Sequence, residues 1–175
     1  MAGVPAPEKH EWCTLPRKGK TVTTAQTDPL EQEILQRMQD WKKTFEAKDV
    51  DGMMSFYADG DAFSAFDLMP PIEFRGGDKW REGWVAFFTA FAGPLSLEFS
   101  GLEVHAASEL GFARAFVRLV GTLNGQDTDM WVRTTNCFRR IDGQWLMVHD
   151  HVSVPLDFAT GRALTHLTPE SPSGE

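Results

Sequence analysis

Two histidines and one aspartate have the residue types and spacing that favour acid–base chemistry. His149 and His151 stand two positions apart in a strand-like run, so their side chains share one face of that strand. An ordinary imidazole pKa of about 6.5 suits a general acid or base at neutral pH. A hydrogen-bonded structural or substrate-orienting pair fits the same spacing. We predict no metal site, because a His-x-His pair needs a third ligand and none is evident nearby.

Asp67 is the third candidate, because it lies among apolar residues and before a Pro-Pro pair. Its neighbours Phe66 and Leu68 would partly desolvate the carboxyl, which raises the pKa and makes the group a better proton acceptor near neutral pH. The same position fits an Asx turn, in which the carboxyl binds local backbone N–H groups. Both interpretations stay open at this point.

Arg114 and Arg118 are four residues apart in another strand-like run and therefore share a face with Phe116. In an apolar pocket, a guanidinium group would bind an anionic or enol-bearing ligand through paired hydrogen bonds. On the outer face, the two arginines would form salt bridges at a subunit boundary. We place Arg118 in the pocket, where a ligand would supply the partner that a buried charge needs.

The elements that must position these residues follow the order helices first, strands afterwards. An amphipathic pattern predicts a helix from Pro29 to about Lys48, then a short second helix to about Tyr57, then a third from Asp78 to the Gly93-Pro94 pair. Four strand-like runs follow, at residues 95–107, 112–123, 130–141 and 144–154. This order predicts an α+β fold with helices packed on one face of a curved antiparallel sheet.

The pair Asp142-Gly143 predicts a two-residue hairpin turn between the last two runs. With Ile141 opposite Gln144, Asn136 falls opposite His149. This register places five side chains on a common face: Asn136, Phe138, Met147, His149 and His151.

Aromatic residues recur at helical spacing in the third helix. Such a stripe is more often core than ligand cage, so we expect it to pack in the interior, with Trp84 lining the mouth of a pocket. The stripe consists of Trp80, Trp84, Phe87, Phe88 and Phe91.

Composition bounds the class of protein. The 175 residues carry 25 acidic and 17 basic side chains, a net charge of −8, which argues against a nucleic-acid partner. The apolar runs are too short to span a bilayer, so we expect no membrane partner and a cytoplasmic location. We expect a flexible tail at residues 1–27, one domain at 28–165 and a loose end at 166–175.

Two stretches carry a family resemblance. Trp41 and the run from Asp49-Val50-Asp51-Gly52 to Tyr57-Ala58-Asp59 resemble the opening of the ketosteroid isomerase and SnoaL-like polyketide cyclase group, within the nuclear transport factor two-like superfamily. The run from Arg140-Ile141-Asp142-Gly143-Gln144-Trp145 to His149 is similar to the closing hairpin of the calcium/calmodulin-dependent kinase association domain.

The resemblance implies a cone, in which a bent sheet wraps a long helix around a pocket, and a homodimer formed through the outer face of the sheet. It also implies that Asp67 matches the general base of the isomerase. The tyrosine and protonated aspartate that hold the isomerase's enolate match Trp41 and Asn136, which are weaker donors. An arginine in the pocket of the kinase association domain matches Arg118.

We therefore expect a small-molecule protein that acts without a cofactor as an isomerase, cyclase or lyase on a hydrophobic or anionic carbonyl-bearing ligand. Asp67 would move a proton and His149 or His151 would relay it. Six residues would bind the substrate: Trp41, Trp84, Arg118, Asn136, Phe138 and Met147. The alternative is a non-catalytic dimerisation module or a metabolite-binding domain, which the loss of the isomerase's donors favours.

Overall fold

The computed structural model describes residues 28–171, so the expectations for 1–27 and 172–175 lie outside the described residues. The first half contains α1 (Pro29–Glu46), α2 (Val50–Met54), a turn of 3-10 helix (Gly60–Ala62), β1 (Ser64–Phe66), β2 (Phe74–Arg75) and α3 (Gly77–Ala90). The second half contains β3 (Phe91–Ala107), β4 (Leu110–Leu123), β5 (Gln126–Ile141), β6 (Gln144–Ser153), β7 (Leu156–Asp157) and β8 (Arg162–Ala163).

The long first helix forms where its sequence pattern predicts it. The Asp28 carboxylate accepts a hydrogen bond of 2.8 Å from the Leu30 N–H, and Pro29 occupies the first turn, where its missing N–H costs nothing. The apolar stripe of this helix is buried. It consists of Ile34, Met38, Trp41 and Phe45.

Two helix ends differ from the prediction. The second helix ends at Met54 rather than near Tyr57, and the third ends at Ala90, before the Gly93-Pro94 pair. Gly93 has a φ of 64° and lies where the β3–β4 register shifts, between Ala92 and Ser96. The pair therefore forms an irregularity inside the strand, where a glycine accepts the positive φ, instead of ending the helix.

The main sheet has six strands in the order β2-β1-β6-β5-β4-β3, and helices cover one face. Neighbours pair antiparallel except β1 and β6, which run parallel. A second register shift in β3, between Ser100 and Glu103, adds to the bending of the sheet, because bulges increase local twist. The predicted α+β fold is confirmed.

An aromatic core fills the space between α1, α3 and the inner face of the sheet. In α3, Trp80, Trp84 and Phe88 are buried, and Phe91 is buried just after its end. Phe138 and Met147 reach the same cluster from β5 and β6. Phe87 is only partly buried and packs against this core, so the prediction for the stripe of α3 is confirmed for its other four residues.

Candidate functional site

A carboxyl group and a carboxamide meet on the inner face of the sheet. Asp150 on β6 lies opposite Asn136 on β5, and each residue is only 3% exposed. The Asn136 Nδ2 group donates a hydrogen bond of 2.8 Å to Asp150 Oδ1. Burial, aided by the charge of Asp67, raises the pKa of Asp150 to about 7. A carboxyl group with this pKa exchanges protons readily at neutral pH.

Asp67 lies on the same inner face, closer to solvent. Ala65 on β1 pairs with Asp150, and Asp67 follows two residues later, so both carboxyl groups are on one side of the sheet. Burial raises the pKa of Asp67, although its carboxylate accepts hydrogen bonds from the Leu68 and Met69 backbone N–H groups. The predicted desolvation and the predicted Asx turn thus occur together. A catalytic role for Asp67 stays a prediction.

A tyrosine hydroxyl is buried in the same interior as Asp150 and Asn136. Residues 56–58 run beside β6, where Ala58 N–H donates to the Met147 carbonyl at 2.8 Å, and this contact sets Tyr57 inside the core. The Trp41 indole N–H donates to the Tyr57 hydroxyl oxygen at 2.9 Å. Burial and then the charge of Asp150 raise the pKa of Tyr57, while the indoles around it oppose that rise.

A family model for SnoaL-like domains matches residues 34–157 of this chain. The chain belongs to the SnoaL-like family. A solved structure of an NTF2-like protein of unknown function from Pseudomonas putida is 33% identical to it; the match covers 79% of this chain and 96% of that one, with a TM-score of 0.72. A comparison of this chain with curated proteins found no match.

Two further solved structures share the fold of this SnoaL-like chain at lower identity. A ketosteroid isomerase-like protein from Erwinia carotovora atroseptica is 16% identical over 72% of this chain and 96% of that chain, with a TM-score of 0.62. A protein from Thiobacillus denitrificans, named for the association domain of calcium/calmodulin-dependent protein kinase type II, is 24% identical over 69% and 93%, with a TM-score of 0.57. The resemblance stated from the sequence is confirmed.

The histidines lie on the opposite face of the sheet from Asn136, so their predicted common face is wrong. The predicted register holds from Ile141 opposite Gln144 to Phe138 opposite Met147, and then shifts by one residue, so that Cys137 faces His149. The extra residue in β6, Val148, forms a bulge. A slip of one residue moves every following side chain to the other face.

On the outer face, the histidines belong to a separate polar cluster of the SnoaL-like chain. The Ser64 hydroxyl and His149 Nδ1 are 2.9 Å apart, and the Phe66 ring packs edge-on against both imidazoles. Partial burial, then the charge of His151, lowers the pKa of His149. Among residues 28–171, no group of three or more His, Cys, Asp or Glu side chains is arranged to hold a metal ion.

Arg118 also lies on the outer face, which corrects its predicted place in the pocket. On β4 the buried positions are Ala115, Val117 and Leu119, so the arginine between them points away from the core. Its guanidinium group makes two hydrogen bonds to the Asp129 carboxylate, at 2.9 and 2.7 Å. Arg118 therefore has the outer-face position of the salt-bridge alternative, with a partner in the same chain, and a subunit boundary at this face stays a prediction.

The other predicted binding residues are brought together in the core. Trp41, Trp84, Phe138, Met147 and Asn136 are all buried on the inner side of the sheet. Aromatic rings pack closely there: the Trp84 ring lies 6.1 Å from Trp41 and 5.4 Å from Trp80, measured between centroids. Their role in binding a substrate stays a prediction.

Two cavities of the described residues lie outside this core. One, of about 320 Å³, is lined by residues of the β4–β5 hairpin such as Val120 and Asp127. The other, of about 490 Å³, is lined at the start of α3 by residues such as Gly76 and Arg81. Asp150 lines neither cavity. Within the described part of the chain, no helix is long and apolar enough to cross a membrane.

Asp150 is the site residue that the sequence pattern missed. It stands between two histidines, and simple alternation from the hairpin turn assigns it to the outer face. Nothing in the local sequence marks Val148 as a bulge, so no local signal identifies Asp150 as buried. The isolated carboxylate in a run of strand-forming residues is the one feature that separates it from its neighbours.

Proposed function

We propose that this SnoaL-like protein binds a small hydrophobic molecule with a carbonyl group inside the cone and that Asp150 transfers a proton to or from it without a cofactor. The observation that carries the proposal is the buried Asp150 carboxyl, whose pKa is raised to about 7. Near that pH, both the proton-accepting and the proton-donating forms are populated.

Asn136 suits both protonation states of the acid. Its Nδ2 group donates to the Asp150 carboxylate, while its Oδ1 atom is buried and has no partner within the described residues. The O–H of a neutral Asp150 is the donor that such an oxygen lacks. Asn136 therefore holds the acid in place through a full cycle of proton transfer, and Asp67 tunes the pKa of Asp150 from the solvent side.

The proposed step is a proton abstraction next to a carbonyl. The Asp150 carboxylate takes the proton as the α C–H bond breaks, and the electron pair of that bond moves into the carbonyl to give an enolate oxygen. Return of the proton to the same carbon exchanges it, and return to another atom isomerises the molecule. The apolar surroundings supplied by Phe138 and Met147 strengthen the interactions of the charged groups.

Exchange of α-protons tests this proposal directly. Cyclohexanone in deuterated buffer at pH 7 is incubated with the parent protein and with Asp150→Asn, and proton NMR follows the loss of the α-proton signal. Removal of a general base is expected to slow the catalysed exchange by about 10² to 10⁴ fold. Asp129→Asn, the same chemical change on the outer face, is the matched control and leaves the rate unchanged. Equal rates for the parent and Asp150→Asn contradict the proposal.

A non-catalytic homodimerisation module is the second candidate, and the packing of the core favours it. The Trp84 ring stacks on Phe88 at 5.4 Å and lies edge-on to Phe45 at 5.7 Å, which is the close ring packing of a core that binds no guest. On the outer face, Phe112 and Val120 are exposed. Light scattering after gel filtration tests this function: a stable dimer with no response to cyclohexanone supports it, and a monomer contradicts it.

A further inference from the structure

Two histidines on the outer face of the sheet are not used by the proposed function. His149 and His151 are two residues apart on β6, so both imidazoles lie on the same face. Their ring centroids are 6.4 Å apart. The His151 side chain is exposed, so its imidazole is free to rotate towards that of His149. Such a rotation brings one nitrogen of each ring to a common point at the surface.

Ser64 on β1 fixes the orientation of the first of these imidazoles. The Ser64 Oγ and His149 Nδ1 atoms are 2.9 Å apart. A metal ion on His149 Nε2 requires the proton on Nδ1, and the Ser64 hydroxyl oxygen is placed to accept the hydrogen bond of that N–H. Histidines that bind metal ions almost always donate their other N–H in this way, because the bond fixes both the tautomer and the ring.

Phe66 restricts both imidazoles further. Its ring centroid lies 4.8 Å from that of His149 and 5.8 Å from that of His151, edge-on in both cases. Side chains that are held in this way lose less conformational entropy when they bind a ligand. The histidine pair is therefore partly organised for binding before any ligand arrives.

One copy of the chain supplies only half of the ligands that a zinc ion needs. Structural zinc sites have four ligands in a tetrahedral arrangement. Within residues 28–171, no third His, Cys, Asp or Glu side chain is arranged to join the pair. A second copy, related to the first by a two-fold axis, presents the same two histidines from the opposite side and completes the set.

We propose that His149 and His151 of two copies of this chain together bind one zinc ion through four imidazole nitrogens. Imidazole is a preferred ligand of zinc. This inference goes beyond the proposed function, because neither histidine takes part in proton transfer at Asp150, on the other face of the sheet.

Two features favour a second copy over water as the source of the remaining ligands. The Phe66 ring beside the histidines is 43% exposed, and contact between two copies at this point removes its apolar surface from water. Each copy carries a net charge of −8, so two copies repel one another. A divalent cation at the contact offsets part of this repulsion, whereas the histidines alone do not.

Calorimetric titration of the parent protein with zinc chloride, after removal of bound metal with EDTA, tests the shared site. We expect saturation at one zinc ion per two chains. Magnesium chloride is the matched control and gives no binding heat, because Mg²⁺ prefers oxygen ligands. Light scattering after gel filtration in saturating zinc is expected to find at least two chains per particle.

Substitutions assign the ligands. His151→Ala removes one imidazole from each copy and is expected to abolish saturation over the range of zinc concentrations that saturates the parent. His105→Ala removes an exposed imidazole from β3 and is the matched control, with the stoichiometry and affinity of the parent. Ser64→Ala is expected to weaken zinc binding by about 10 to 100 fold without changing the stoichiometry, as for the loss of a group that orients a metal ligand.

Four results overturn the inference. The first is the absence of zinc binding by the parent. The second is saturation at one zinc ion per chain, which means that water completes the site. The third is a monomer in saturating zinc. The fourth is zinc binding by His151→Ala equal to that of the parent. His149→Ala repeats the ligand test, and the titration of the parent is decisive even if a variant fails to fold.

Discussion

Replacing Asp150 by asparagine removes the titration of a buried carboxyl group and keeps its shape. Burial raises the pKa of Asp150 from 3.8 to about 7, so the folded protein holds this proton more tightly than the unfolded chain does. The contribution of Asp150 to the free energy of unfolding is therefore fully present below the pKa of the unfolded chain. It is lost as the pH rises through the pKa of the folded protein. The whole loss is about 4 kcal/mol, with each pKa unit contributing about 1.4 kcal/mol.

Urea unfolding at a series of pH values measures this effect. Between pH 5 and pH 8, Asp150 is expected to lower the free energy of unfolding of the parent by about 3 kcal/mol relative to Asp150→Asn, in which the residue cannot ionise. Subtracting the two curves cancels the groups that both proteins share. Tryptophan fluorescence follows the transition, because Trp80 and Trp84 are buried in the folded state.

Asp129→Asn is the matched control for this experiment. The Arg118 guanidinium lowers the pKa of the exposed Asp129 carboxyl, so the group stays ionised in both folded and unfolded protein above pH 5. Its removal is expected to leave the pH dependence between pH 5 and pH 8 unchanged. If the parent and Asp150→Asn show the same pH dependence, Asp150 does not titrate in this window and the reasoning about its burial is wrong.

Four other substitutions have definite expected outcomes. Asp67→Asn removes a negative charge that raises the pKa of Asp150. In urea unfolding, this variant is expected to lose less stability with rising pH than the parent does. Arg118→Ala changes the free energy of unfolding by less than about 1 kcal/mol in the same assay, because its ion pair is exposed. Phe138→Ala lowers it by about 3 to 5 kcal/mol, since the side chain is fully buried. His149→Ala leaves cyclohexanone exchange, measured by NMR, at the parent rate, because the imidazole lies on the outer face.

The helices and the class of the fold follow from local patterns in the sequence. The buried stripe of α1 and its Asp28 cap depend on residues within a few positions of one another, and so does the aromatic stripe of α3. The hairpin turn at Asp142-Gly143 also forms where the sequence predicts it, with positive φ at both residues. The order of these elements is enough to predict helices packed on a curved antiparallel sheet.

Which residues belong to the site depends on a one-residue shift in the pairing of β5 with β6. From Ile141 to Phe138 the predicted pairing is right. The bulge at Val148 then places each later side chain of β6 on the face opposite to the predicted one. Asp150 moves into the core and His149 moves out. Arg118 illustrates the related case in which alternation is clear but the sequence leaves open which of the two faces is buried.

By itself, the sequence determined which segments become helices and strands and which polar side chains are available for chemistry, because periodicity and turn residues act over a few neighbouring positions. Only the tertiary structure decided that Asp150 and Tyr57 share the interior with Asn136 and the tryptophans. The physical reason is that the face of a strand is set by its register against distant strands. A bulge stabilised by that packing shifts the register without changing the local sequence pattern.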